Sequence, residues 1–393
     1  MLDADQNRKH TMKSITFFSL LTIFPIICLA NPSPDKEIDD LIIYHTFSGD
    51  WALADSLLEA QIGKYPDSPK YYSLKGPYYF YTRYYNQGML DNDSLMQKMA
   101  EYATMAIETG KNKNEMTLDD KFFVGTAYGY LSRYYGRQFS IWNAYWAASR
   151  CRSYLNEVLE EDPSYTDANM GLAVIEYFSA TQLGGFWSFV AWVIGMSGNR
   201  DTAMMQFHDV AENGYWFKDE AKFVLAVLYR SLQLEYDVTQ AEELSNQLYE
   251  KYPQNTFILN QYDQMRFLAL IEEKGVEILE TEFDSLKTKY QVTNDRILNG
   301  FGYNLLFNSR FSEAIVVLHV NMKLFPNVAN CYDSLSEAYL ATGNPDMAIY
   351  YSRRCLEKLP ADSTINDEFR NRLRSISEER IEILGGDTGK VNI

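Results

Sequence analysis

Residues 295–328 and 329–362 align with each other without a gap, at a spacing of 34 residues. Pro326 pairs with Pro360, Ala314 with Ala348, Leu305 with Tyr339, Gly302 with Ser336 and Phe301 with Leu335. A fixed period of this length means one supersecondary unit stacked on copies of itself. Each unit hides its apolar face only against its neighbours, so the chain is expected to build a solenoid rather than a single rounded core.

The period extends backwards from its prolines. Anchored on Pro66, residues 35–68 fit the register through Leu41, Gly49, Trp51, Ala54 and Leu58. Anchored on Pro253, residues 222–255 fit through Leu225, Leu228, Leu232, Ala241 and Leu248. Residues 256–290 form a degenerate unit with a helical stripe of Val276, Leu279, Phe283, Leu286 and Tyr290. Residues 69–112, 117–165 and 166–220 are expected to form irregular hairpins, the last with an apolar insertion at 184–197. Residues 363–384 are expected to cap the array, with Thr364 and Asp367 at capping-box spacing. A disordered tail is expected over 385–393.

A 34-residue helix–turn–helix unit closed by Pro resembles the tetratricopeptide (TPR) repeat, clearly over 35–68, 222–255, 295–328 and 329–362. The resemblance implies an all-α, right-handed superhelical solenoid over 35–384. A second, looser likeness lies in MGLAVIEYF followed by GMSGNRDTAMMQF. These segments, with Gly198, Asn199 and Arg200, resemble the inclusion-body-clearance family of TPR proteins and its exported bacterial relatives. That likeness implies a non-enzymatic role and transfers no catalytic residue.

Composition narrows the partners. Asp plus Glu number 53 against 36 Lys plus Arg, a formal net charge of −17. Nucleic acid needs a basic footprint, so it is excluded as the expected partner. An anionic membrane surface is disfavoured on the same ground. At the N-terminus, Lys13, the apolar run Ile15–Leu29 and Cys28-Leu29-Ala30 read as a signal peptide cleaved after Ala30, with Met12 the better start. The chain is therefore expected to be exported, periplasmic or secreted. Lipidation of Cys28 is the alternative to cleavage.

No G-x-S-x-G, H-E-x-x-H, P-loop or C-x-x-C occurs. Catalytic residues, cofactor and metal are all expected to be absent. Cys151, Cys331 and Cys355 read as small buried hydrophobes, with a Cys331–Cys355 bridge as the alternative.

Three groups of residues are candidates for binding. The first is YYSLKGPYYFYTRYY at 71–85, where Tyr78, Tyr81 and Tyr85 either pack between hairpins or wall a groove for a glycan or peptide. Pro77 is expected to kink or restart that helix. The second is Tyr177–Gly198, which carries no charge; Trp187 and Trp192 either plug the superhelix or contact a partner or membrane. The third follows from the repeat register, whose concave positions are Phe223, Arg230, Arg296, Asn299, Tyr303, Asp333 and Glu337. Taken together these features point to a non-catalytic scaffold that holds a protein partner.

Overall fold

In the computed structural model, described over residues 35–85, 92–181, 198–230, 235–292 and 294–385, the chain is all-α, and no strand occurs among the described residues. Among the described residues, eight consecutive hairpins are followed by a terminal helix. They are α1 (Lys36–Ser48) with α2 (Trp51–Lys64), α3 (Pro69–Tyr85) with α4 (Asn92–Lys111), and α5 (Leu118–Arg137) with α6 (Ile141–Glu161). Next come α7 (Ala168–Thr181) with α8 (Arg200–Asn213), and α9 (Lys218–Arg230) with α10 (Val238–Lys251). In the sixth, α11 (Thr256–Lys274) faces a broken partner, α12 (Ile278–Thr281) and α13 (Phe283–Lys289). The regular pairs α14 (Arg296–Phe307) with α15 (Phe311–Leu324) and α16 (Ala329–Ala341) with α17 (Pro345–Lys358) precede α18 (Asp367–Ile383).

Local chemistry sets these boundaries. Side chains of Asp50, Asn199, Asp237, Asn255, Asn344 and Asn366 accept backbone N–H groups that their helices leave open. Each such cap contributes about 0.5–2 kcal/mol. Thr117 and Asp120 form a reciprocal capping box on α5. At the terminal helix the cap is Asn366, not Thr364 as the spacing suggested. Thr364 is held instead by Asp362, whose other oxygen accepts the Ala329 N–H at 2.8 Å. Asp362 is thus committed to the loop, and α18 starts later, at Asp367. Pro77 lies inside a continuous α3 and neither breaks nor restarts it.

The repeat positions pack as their size requires. Ala241, Ala314 and Ala348 are all fully buried. Gly302 exists for close approach, since a Cβ there would lie 2.5 Å from Leu318. Cys151, Cys331 and Cys355 are buried free thiols, so the Cys331–Cys355 bridge does not form. In the two Lys-Tyr-Pro turns, lysine and tyrosine clasp an aspartate at the start of the preceding helix. Lys64 and Tyr65 hold Asp35, while Lys251 and Tyr252 hold Asp219 at 2.6 Å each.

The first five hairpins do not simply extend. They curl until α1 meets the fifth. Asn255 donates from Nδ2 to the Phe47 carbonyl at 2.6 Å, across 208 residues of sequence. Tyr215 donates to Asp40 at 2.8 Å. Phe47 packs on Tyr81 and Tyr252 with ring centroids 4.8 and 5.7 Å apart. Gly49 ends α1 at φ 82°, a left-handed conformation that favours glycine, and lies beside the Asn255 side chain. Inside the curl α5 meets α9: Tyr130 donates to Glu220 at 3.1 Å, and Phe122 packs on Phe217.

Candidate functional site: a cavity inside the curled hairpins

Closure leaves a cavity of about 910 Å³ between hairpins two to five. That size falls within the roughly 300–1,000 Å³ of small-molecule sites. Small residues on the long central helices create the space: Thr126, Gly129 and Gly136 on α5, Ala144, Ala148 and Cys151 on α6. A Cβ added at Gly136 would meet nothing within 4 Å. Helix α7 contributes Met170, Val174, Ile175 and Phe178, and α9 closes the floor with Glu220 below Phe217.

The polar groups lie in order of depth. Glu220 is deepest, at 2% exposure. Burial pushes its carboxyl above the usual range, opposed by the Arg133 charge and the Tyr130 hydrogen bond. Arg133 stands 3.7 Å from Glu220, with its guanidinium over the rings of Phe80 and Tyr130 at 4.9 and 5.4 Å. At the mouth, Arg137 pairs with Asp93 at 3.1 Å. The Cys151 thiol on the wall is pushed up to about 12 by burial, so it stays protonated and is a poor nucleophile.

Exposed apolar side chains cluster in sequence at the α5–α6 turn, where Phe139 lines the cavity. Phe139, Ile141, Trp142 and Trp146 are 87, 48, 68 and 60% exposed. Phe139 also holds a left-handed backbone, φ 54°. Its turn is built like two others. Phe139 and Ser140 donate to the carbonyls of Gly136 and Tyr135, as Ser309 and Arg310 donate to Leu306 and Leu305, and Gly343 and Asn344 to Leu340 and Tyr339. Where those turns use serine and glycine, this one places an exposed phenylalanine, at a backbone cost of about 1–2 kcal/mol.

The residues singled out by sequence lie elsewhere. Tyr78 and Tyr81 are 8 and 0% exposed, so the groove-wall expectation is corrected. Their segment packs around a lysine of this chain. Lys75 is fully buried, its ammonium bound to Asp55 and Glu59 at 2.5 and 2.6 Å and set over the rings of Tyr78, Tyr79 and Tyr102. A buried ammonium needs such partners, and the tyrosines supply both faces and shielding. The side chain of Tyr85 lies outside the described residues, as do Trp187, Trp192 and the whole insertion 184–197.

Phe223 is buried against Tyr81, their rings 5.8 Å apart, and Arg230 donates to Gln261. Both border a void of only about 20 Å³, which is no groove. Arg296 is exposed and Asn299 half-buried. Tyr303, Asp333 and Glu337 do come together, but around Arg380 of α18. Arg380 bonds Asp333 at 2.8 Å and Glu337 at 3.1 Å, and Tyr303 donates to Glu337 at 2.5 Å. The terminal helix thus covers the acidic positions expected to face a partner. The three histidines among the described residues each have a side-chain partner: His45 with Asp50, His208 with Tyr229 and His319 with Tyr339.

The Gly-Asn-Arg motif has a physical role. A Cβ on Gly198 would lie 1.9 Å from the Glu176 carbonyl, so only glycine fits the crossing onto α7. Asn199 caps α8, and Arg200 pairs with Glu235 at 2.8 Å through Nη2.

No family model matches the chain, and no curated protein matches it. Among solved structures it is similar to a chain of the APC/C hetero-tetramer Cut9–Hcn1, at 13% identity and a TM-score of 0.34, covering 88% of this chain and 64% of that one. The chain therefore spans less than two thirds of that protein's length. It is also similar to a tetratricopeptide repeat protein from Parabacteroides merdae, at 14% identity, a TM-score of 0.27 and coverage of 87% and 99%. For yeast Tom70 the values are 13%, 0.23, 88% and 88%. At such scores the hairpin register itself, not these likenesses, defines the architecture as a TPR-like solenoid.

Proposed function

We propose that the chain is a non-catalytic helical-repeat scaffold that holds a protein partner in the cell envelope. The observation that carries this reading is the patch at the α5–α6 turn. Phe139, which lines the cavity, and Ile141, Trp142 and Trp146 on the helix that follows all stand exposed, the first on a backbone that disfavours it. Exposed large apolar side chains grouped at one turn point to an interaction site, and tryptophan is enriched at the energetic centres of such sites. The turn shares its left-handed backbone with Ser309 and Gly343, and differs from them in carrying a large apolar side chain that stands exposed.

Export rests on the N-terminal sequence, where the charged start, apolar run and Cys-Leu-Ala site support cleavage after Ala30. N-terminal sequencing of protein purified from its host tests that part. For the surface, Phe139→Gly, Trp142→Ala and Trp146→Ala are combined. The variant is expected to fold at least as stably as wild type and to lose its crosslinked partner from envelope fractions. Capture of the same partner at wild-type yield would refute the assignment of this surface.

A further inference from the structure

The cavity has two unlike walls. On one side α6 and α7 present Ala148, Met170, Val174, Ile175 and Phe178, with no charged side chain among the lining residues of those helices. On the other side stand Arg83, Arg133 and Arg137, with Asp93 and Glu220. Three guanidinium groups against two carboxylates make the lining net positive, in a chain whose formal net charge is −17.

We infer that this cavity binds a single-chain amphiphile with an anionic head group, a carboxylate or phosphate on an acyl chain. The chain lies along α6 and α7, and the head sits at Arg133 and Arg137. Depth fixes this orientation. Glu220, almost fully buried at the floor, repels an anion there, while Arg137 at the mouth is 43% exposed. The Asp93 partner of Arg137 is 76% exposed. A solvated pair of this kind exchanges one carboxylate for another at little cost. Arg133, whose guanidinium lies over the rings of Phe80 and Tyr130 and 3.7 Å from Glu220, adds a second cation to the same wall. A cavity of about 910 Å³ suits one acyl chain and its head, and excludes a folded domain.

The inference stands apart from partner capture, because the two are read separately. The test is calorimetric titration of the full-length protein, below micellar concentrations. Probes are octanoate, decanoate, dodecanoate and dodecyl phosphate, with dodecanol and dodecyltrimethylammonium as head-group controls. Binding of the anions is expected to saturate at one per chain and to tighten about three- to fourfold per methylene. Dodecanol should bind at least tenfold more weakly, and the ammonium weaker still. Whichever of dodecanoate and dodecyl phosphate binds tighter names the head group. Val174→Trp, which fills the cavity from α7, should weaken dodecanoate at least tenfold. Ala144→Trp fills it from α6 and serves if the first variant folds poorly. Arg137→Gln should weaken dodecanoate severalfold and leave dodecanol unchanged. The proposal is overturned if no anion saturates, if dodecanol binds as tightly as dodecanoate, or if a folded filled variant keeps wild-type affinity.

Discussion

The first five hairpins and the last three follow different rules. Hairpins seven and eight keep the 34-residue period, and each touches only its neighbours, so they extend an array. They end when Arg380 closes over Asp333 and Glu337. Among the first five, α4, α5 and α6 run to 20 or 21 residues, and α1 returns to the fifth hairpin through Phe47, Tyr252 and Asn255. The regular pairs bury the faces on which they stack and leave Phe307, Leu340 and Tyr350 exposed. The irregular ones leave an interior with a mouth. The proposed binding sites of this chain therefore sit where the repeat is broken, and α18 covers the regular end.

The largest effect that can sharpen this contrast is at Lys75. Lys75→Ala removes a fully buried side chain and its ion pairs, and should cost about 3 kcal/mol by denaturant unfolding. Part of that cost is relieved because Asp55 and Glu59 are about half exposed and regain water. A cost under 1 kcal/mol would mean that the tyrosine box is not formed. Next is Asp167, whose carboxylate accepts the Tyr215 and Phe217 N–H groups at 2.8 Å each. Asp167→Ala leaves both donors without that acceptor, and a loss of about 2–3 kcal/mol is expected. In the regular half, Ala348→Leu overpacks a fully buried position and should cost about 1–3 kcal/mol. An unchanged melting temperature there would contradict the tight stacking.

Phe139→Gly runs the other way. It relieves a left-handed phenylalanine and should stabilise by about 1 kcal/mol. A destabilised variant would show that Phe139 is held by packing and not by a binding role. The smallest expected effect concerns pH. The Glu220 carboxyl titrates above its ordinary 4.5 in the folded chain, so the native state holds this proton longer than the unfolded state. Its contribution is fully present below pH 4.5 and is lost as pH rises through the raised value. Glu220→Gln should remove that part of the decline, seen as a flatter stability profile above pH 4.5. An unaltered slope would mean that Glu220 is not shielded from water.

Much of the regular half was legible because its packing is local in sequence. Pro326 with Pro360 and Ala314 with Ala348 report the same contact one unit apart. The aromatic segment misled because composition does not say which side a residue faces. Tyr81 is buried by Phe47 of α1 and Phe223 of α9, and Tyr78 packs on Trp51 of α2. The acidic positions Asp333 and Glu337 failed for a related reason, since the arginine that covers them comes 47 and 43 residues later. The cavity was not legible at all. It depends on α5 meeting α9 through Tyr130 and Glu220, and no periodicity encodes a contact across 90 residues. One local signal was available. Phe139 occupies a hairpin turn that Ser309 and Gly343 fill elsewhere, and a bulky apolar residue there is out of place unless something binds it.

Closure of the first hairpin onto the fifth is the claim on which the curled half of the chain depends. A double-mutant cycle of Phe47→Ala and Tyr252→Ala, read by chemical unfolding, measures it directly. These residues are 205 positions apart in sequence, yet their rings lie 5.7 Å apart. Contacting side chains couple, whereas distant ones add within about 0.3–0.5 kcal/mol. A coupling energy of about 1 kcal/mol is expected. Strict additivity of the two losses would mean that α1 does not rest on the fifth hairpin, and the curled half would have to be given up.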